Sequence, residues 1–390
     1  MPQIKPDVEA FARIKVFGVG GSGKNAVNHM VHSKVKGVEF VAINTDAQDL
    51  HHTNTKKKIH IGKNLTRGLG TGMNPELGKR AVEENKEEIQ EAIKGADMVF
   101  IACGMGGGTG TGASPLIART ARELGVLTVA VVTKPFSFEG AQRKSYADEG
   151  IEELQNSVDA IITIPNDQLF QTIDKETTAN NAFAMCDDIL KNAVEGISDL
   201  ITHPGIINTD FADIRSVMEN AGTALMGIGK ATGDSRAEEA AKSAINSPLL
   251  EMSIEGAKGV LFSIAGGDDL TMYEIKEAAD AITNSVDQNA KIIFGTVKDD
   301  KLRKGELKIT VIGSGFSEEA IHRSRQQAKQ KKDLNKDTKQ EDKDKEIHNS
   351  LNDQTKEELS HNDQQPKNDL DDENDDWGNV PSFLKRSKLK

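Results

Sequence analysis

Cysteine is nearly absent: Cys103 and Cys186 are the only two in 390 residues. Both lie in apolar surroundings without metal-like spacing. A disulfide scaffold and a thiolate metal site are therefore excluded, leaving buried thiols of a reducing compartment as the expectation. Aromatics are few, with one Trp and two Tyr. No apolar run approaches a membrane span, and the opening Met1-Pro-Gln-Ile-Lys-Pro-Asp7 has no apolar signal core. Basic residues are outnumbered, 49 Lys and Arg against 61 Asp and Glu, for a net charge of −12. General adhesion to nucleic acid or to anionic membrane needs the opposite sign. The expectation is a cytosolic protein with no nucleic-acid partner and no direct membrane insertion.

What is present divides the chain into segments. Residues 1–12 form an N-terminal extension. Over 13–177, short apolar runs alternate with helical stretches: Ile14–Val19, Glu39–Ile43, Asp97–Ala102, Leu127–Val132 and Ala160–Ile164. Unbroken apolar strands separated by helices predict a doubly wound α/β domain with a parallel sheet, which takes ligands beyond the carboxyl ends of its strands. From Thr178 to about Thr202, residues Phe183, Leu190, Val194, Ile197 and Ile201 keep near three-and-four spacing, and His203-Pro-Gly205 stops the run. That predicts a long central helix over 178–203. Residues 204–316 read as a smaller α+β domain. Its predicted helices are Ser235–Asn246 and Thr271–Val286, and its predicted strands Gly259–Ile264, Lys291–Phe294 and Leu307–Ile312.

Residues 317–374 hold no aromatic and scatter their apolar residues among charges. Such a segment cannot bury enough surface to offset its ordering entropy, which predicts a disordered linker. Residues 375–390 differ again. Trp377, Val380, Pro381, Phe383 and Leu384 cluster just before Lys385 and Arg386. A short apolar segment on a long tether suits docking to a partner, with linker length setting its reach. The basic run Lys385–Lys390 gives at most weak, salt-sensitive contact with anionic lipid.

Two glycine loops carry the chemistry. Gly18-Val-Gly20-Gly21-Ser22-Gly23 follows the first strand and opens a helix, where glycine lets backbone N–H groups approach phosphate. Alone this pattern also fits a dinucleotide fingerprint, with Asp46 where the ribose acid belongs. It spells G-x-x-x-x-G-K as well, ending at Lys24, but Asn25 replaces the hydroxyl residue that would hold magnesium. The second loop, Gly104-Met-Gly106-Gly107-Gly108-Thr109-Gly110-Thr111-Gly112, has six glycines in nine residues. Two such loops at adjacent strand ends would enclose a polyphosphate from both sides, whereas a nicotinamide enzyme needs only one.

The run Gly106–Gly112 matches the tubulin/FtsZ signature, and the sequence resembles the FtsZ family of bacterial cell-division GTPases over nearly all of its ordered length. The resemblance includes Asn44–Gln48, Arg67-Gly-Leu-Gly70-Thr-Gly72-Met-Asn-Pro75, Pro135–Glu139, Arg143 and Pro165–Leu169. It continues through Asn208–Arg215, Ser247–Glu251 and Ile309–Phe316. It implies a filament-forming protein of the division ring that hydrolyses GTP to GDP where subunits meet, with Mg2+ on the nucleotide and K+ as a further ion. No metal site made of protein side chains is implied. The implied nucleotide residues are Gly20, Gly21, Ser22 and Asn25 in the first loop, Gly70 and Gly72, and Gly104, Gly106, Gly107, Gly108, Thr109, Gly110 and Thr111 in the second. Pro135, Glu139 and Arg143 would lie near ribose and phosphates. Asn166 and Asp187 would bond the guanine edge, with Phe183 stacked on the ring. The i, i+4 spacing of Phe183 and Asp187 lets both reach one base. The terminal peptide resembles the family's docking segment for membrane-tethering and regulatory division proteins.

Asn208-Thr-Asp210-Phe-Ala-Asp213 has two compatible readings. Asp210 and Asp213 stand where a cap and a first-turn acid stabilise any helix. The resemblance implies instead that Asn208, Asp210 and Asp213 enter the next subunit's site, where the acids polarise the attacking water. Two departures from the family are Lys24, expected to point to solvent rather than to the phosphates, and Thr209, where an apolar residue is usual. A nicotinamide oxidoreductase, a P-loop phosphotransferase and a tubulin-like filament for plasmid segregation or cell shape remain as alternatives.

Overall fold

Val16, Phe17 and Val19 in the first strand are all fully buried, as are Phe100, Ile101 and Val129 to Val132 in its neighbours. A strand buried on both sides needs a sheet covered on both faces. The computed structural model has that arrangement. It describes residues 12–170, 176–203, 205–250, 252–299 and 301–317. The expectations for residues 1–11, for Glu251, for the linker from residue 318 onward and for the terminal peptide from Trp377 to Arg386 lie outside the described residues.

In chain order the strands are β1 (Ile14–Val19), β2 (Val38–Asn44), β3 (Lys57–His60), β4 (Met98–Gly104), β5 (Leu127–Lys134), β6 (Ala160–Pro165), β7 (Gly222–Thr232), β8 (Gly259–Gly266), β9 (Lys291–Lys298) and β10 (Glu306–Ser314). The helices up to β6 are α1 (Gly20–His32), α2 (Ala47–His51), α3 (Lys63–Thr66), α4 (Pro75–Glu84), α5 (Lys86–Ile93), α6 (Thr109–Glu123) and α7 (Ala141–Gln155). Beyond it come α8 (Asn166–Leu169), α9 (Ala179–Thr202), α10 (Phe211–Met218), α11 (Arg236–Ile245) and α12 (Met272–Thr283).

The strands form one sheet in the order β3-β2-β1-β4-β5-β6-β7-β10-β8-β9. The pairs from β3 to β7 and the β8–β9 pair are parallel, and β10 runs against both of its neighbours. The first six strands follow the doubly wound order, with the topological switch between β1 and β4. One core layer packs α1 and α9 on the sheet, a second lies under α4 to α7, and a third joins α11 and α12 to the last strands. The predicted parallel α/β domain, long helix and smaller α+β domain are thus present.

Capping fixes several helix starts. The Thr178 hydroxyl accepts from Asn181 N at 3.3 Å at the start of α9. Thr271 and Glu274 close a capping box on α12, with Thr271 N donating to Glu274 Oε2 at 2.8 Å. Two strands escaped the sequence reading. β3, Lys-Lys-Ile-His, is too polar to register as an apolar run. β7 is interrupted by Gly227 and Gly229, where a Cβ would fall on the carbonyl oxygens of Ala244 and Ala240 in α11. Glycine there lets a helix lie directly on the strand.

Candidate nucleotide site

β1 and β4 are neighbours, with Val19 opposite Cys103, so the loops that leave them face one another. The first loop turns at Gly20, whose φ of +73° suits glycine. A side chain there would press on Gly110 N in the second loop, at 2.9 Å from its Cβ. Helices α1 and α6 therefore begin side by side and aim their unpaired N–H groups at one volume.

That volume is a cavity of about 340 Å³. One end is backbone and small polar side chains: Gly20, Gly21, Ser22 and Asn25 from the first loop, and Gly104, Gly107, Gly108, Thr109 and Gly110 from the second. The remaining wall holds Pro135, Glu139, Arg143, Asn166, Phe183 and Asp187. The structure brings these fifteen expected residues together.

Four others it does not. Gly70 and Gly72 flank the cavity wall without lining it, and Thr71 between them lines it instead. The Thr71 hydroxyl lies 3.3 Å from Thr109 Oγ1 and so ties this turn to the start of α6. Thr111 turns inward, its Oγ1 accepting from Gly106 N at 2.8 Å. Gly106 (φ +94°) has the Arg143 carbonyl 2.6 Å from where a Cβ would be. Both hold the loop in shape. Sequence reasoning also missed Val19, Met105, Thr133 and Cys186, which line the cavity. Thr71 lies inside the run Arg67–Pro75 and Met105 inside the second glycine loop; Val19, Thr133 and Cys186 are ordinary strand and helix residues with no local signal.

The polar groups of the wall are unevenly satisfied. Arg143 Nη1 donates to Glu139 Oε2 at 2.8 Å, and Glu139 Oε1 accepts from Phe136 N at 2.9 Å. Arg143 Nε and Asn166 Oδ1 are buried with no partner. Orphaned polar atoms are costly, and two on one cavity wall call for a ligand. Burial pushes the Asp187 carboxyl up to about 6. The ring of Phe183, 51% exposed, meets Phe136 edge-on at 5.7 Å. Burial likewise pushes the Cys186 thiol up to about 12.

Two expectations are corrected here. Lys24 does not point to solvent: it is buried, and its Nζ lies 2.5 Å from Asp49 Oδ1. Asp46 is not placed as a ribose acid: it does not line the cavity, and its Oδ1 accepts from Asp49 N at 2.9 Å and caps α2. The dinucleotide alternative thereby loses its second feature.

Asn208, Asp210 and Asp213 are exposed and away from the cavity. Asn208 Oδ1 accepts from Gly205 N at 2.7 Å, and Asp210 Oδ1 caps α10 by accepting from Ala212 N at 2.8 Å. Asp187 stands on the early turns of α9, whereas the acids follow its far end at Thr202, about 22 Å away along the helix at 1.5 Å per residue. On the same helix as the acids, Arg215 reaches the carbonyl of Gly125 at 3.4 Å, at the amino end of β5. The cavity is at the carboxyl ends. Among the described residues no group of three or more His, Cys, Asp or Glu is placed to hold a metal ion, and no helix is long and apolar enough to cross a membrane.

Fold and cavity together define a doubly wound α/β protein built to take a nucleotide between two glycine loops. Residues 13–174 match the Tubulin/FtsZ family, GTPase domain, and residues 222–317 match the FtsZ family, C-terminal domain. An empty FtsZ dimer from M. jannaschii is 45% identical, with a TM-score of 0.76, covering 79% of this chain and 89% of its own. A mutant FtsZ from the same organism is 45% identical, with a TM-score of 0.76, over 78% of this chain and 92% of its own. CetZ2 from Haloferax volcanii, described as a GTPgS-bound protofilament, is 20% identical and shares the fold, with a TM-score of 0.68 over 83% of this chain and 99% of its own. The chain belongs to the FtsZ family and is a GTPase that binds GTP and GDP.

Proposed function

We propose that this GTPase assembles head to tail into filaments and hydrolyses GTP at each junction, as the scaffold of the division ring at mid-cell in the cytoplasm. In this reading Asn166 and Asp187 take the guanine edge, Phe183 stacks on the base, and the backbone of Gly107 to Gly110 holds the phosphates. Gly20, Gly21, Ser22 and Asn25 close the first loop over the phosphate chain, and Glu139 orients Arg143 beside it. A carboxylate accepts from guanine N1–H and the 2-amino group but meets only repulsion from adenine N1. The orphaned Asn166 Oδ1 and the raised Asp187 carboxyl fit such an edge. Among the described residues no acid cluster is placed to hold a metal, so Mg2+ and K+ would enter with the nucleotide and would supply charge neutralisation beside the backbone of Gly107 to Gly110.

One observation carries the intersubunit reading. The cavity's own acids are Glu139, held by Arg143, and Asp187, assigned to the base. Neither is free to orient a water at the γ-phosphate. Asp210 and Asp213 are exposed beyond the far end of α9 from Asp187. Stacking one copy on the next along the strand direction brings that end to the next cavity, with Asn208 beside the acids. Capping and catalysis are compatible, because a helix start projects these carboxylates outward. The peptide from Trp377 to Arg386 would dock membrane-tethering and regulatory division proteins.

Mixing two inactive variants tests this. Asp213→Ala keeps the cavity and Gly108→Ala, which blocks the cavity, keeps the acids, so mixed filaments regain phosphate release at junctions that join a good cavity to good acids. A mixture as inactive as its parts would contradict the proposal.

A further inference from the structure

Lys24 is charged, buried and unused by the reaction just described. Its side chain is 11% exposed and does not line the cavity, although Asn25 beside it does. A buried ammonium requires a counter-charge, which Asp49 supplies at 2.5 Å.

The pair continues into a chain of hydrogen bonds. Asp49 Oδ2 accepts from Asn44 Nδ2 at 2.9 Å, and Asn44 Oδ1 accepts from Thr45 N at 2.9 Å. Thr45 Oγ1 lies 2.9 Å from Thr109 Oγ1, which lies 3.3 Å from Thr71 Oγ1. This path joins α1, the turn after β2, the start of α6 and the 67–75 segment, so it links both glycine loops. Asp49 also backs the first loop directly, its Oδ2 being 3.8 Å from where a Cβ on Gly21 would stand.

We propose that Lys24 and Asp49 form a brace that positions the first glycine loop for the phosphates of a nucleoside di- or triphosphate. This rests on the nucleotide reading above. Lys24 is a positioning residue and not a phosphate ligand. Asp49 is needed to anchor Asn44 and, through it, Thr45 and Thr109. An unneutralised carboxylate against a phosphate-binding loop would repel the ligand, and Lys24 cancels that charge from the protein side. The G-x-x-x-x-G-K spelling therefore hides a different use of the lysine: its ammonium faces α2 and not the cavity.

Methylanthraniloyl-labelled GTP and GDP, titrated into the full chain and its variants, test the brace. Lys24→Met and Asp49→Asn are each expected to weaken both nucleotides about tenfold. The double variant should be no weaker than the poorer single one, because two residues acting through one contact are not additive. Lys24→Arg, which keeps the charge, should stay within about threefold of wild type; it also carries the test should Lys24→Met fail to fold. Two results would overturn the brace. If Lys24→Met weakens binding while Asp49→Asn leaves or tightens it, the lysine contacts phosphate. If both variants lower the nucleotide-free unfolding midpoint but leave affinity unchanged, the pair serves stability alone. A wild type that binds neither nucleotide would remove the nucleotide reading and the brace with it, a result distinct from variant failures on a binding wild type.

Discussion

Phe183 and Asp187 stand one helical turn apart on α9 and line the same cavity, the ring half exposed and the carboxyl half-buried. A flat ring and an acceptor on one helical face suit a base held by stacking and an edge contact. Hydrogen bonds to a charged group contribute about 1.5–3 kcal/mol. Asp187→Ala is therefore expected to reduce preference for GTP over ATP roughly ten- to hundredfold, measured by competition for the labelled nucleotide. Phe183→Ala should weaken both nucleotides without changing their ratio.

The same carboxylate gives a pH signature. Burial is the main reason its pKa rises from 3.8 to about 6; Asp188 adds to it, and His29 and Lys24 oppose it. Only the ionised form can accept from both N1–H and the 2-amino group of guanine, so GTP affinity should fall as pH drops through about 6, and Asp187→Asn should abolish that step. The sign for folding is opposite. A raised folded pKa gives stability that is present at low pH and lost as pH rises through about 6. Nucleotide-free protein should thus lose this group's contribution near neutrality, while bound GTP restores stability by mass action. Titration calorimetry and thermal unfolding between about pH 5 and 8 read the two effects separately.

Glycines of the site and of the scaffold should separate in the same way. A side chain at Gly229 would strike the Ala240 carbonyl oxygen of α11. Gly229→Ala is expected to cost about 1–3 kcal/mol by overpacking, seen as a lower urea midpoint with nucleotide affinity intact. A side chain at Gly108 would meet Thr71 Oγ1 and, at 2.7 Å, Asn74 N. Gly108→Ala should displace the cavity wall and abolish GTP binding.

Much of this was legible in the chain, for reasons that differ by element. β1, β4 and β5 announced themselves because burial on both faces demands unbroken apolar runs. β7 stayed hidden because close packing under α11 demanded glycine, which reads as a turn. At the site, glycine density marked both loops. It did not distinguish Gly107 and Gly108, which line the cavity, from Gly70 and Gly72, which flank Thr71. Lys24 was misjudged because a charged residue early in a helix usually faces water, and its partner Asp49 comes from another element. Asp210 looked like a helix cap and is one. A role completed by a second copy leaves no trace in the spacing of one chain.

The intersubunit site is tested most directly by phosphate release from GTP against protein concentration, with magnesium and potassium present. Release per molecule should be negligible in dilute protein and rise above a threshold, with Asp213→Ala remaining inactive at every concentration. Release strictly proportional to concentration from the most dilute sample would mean that each chain carries its whole site, and Asp210 and Asp213 would not be its acids.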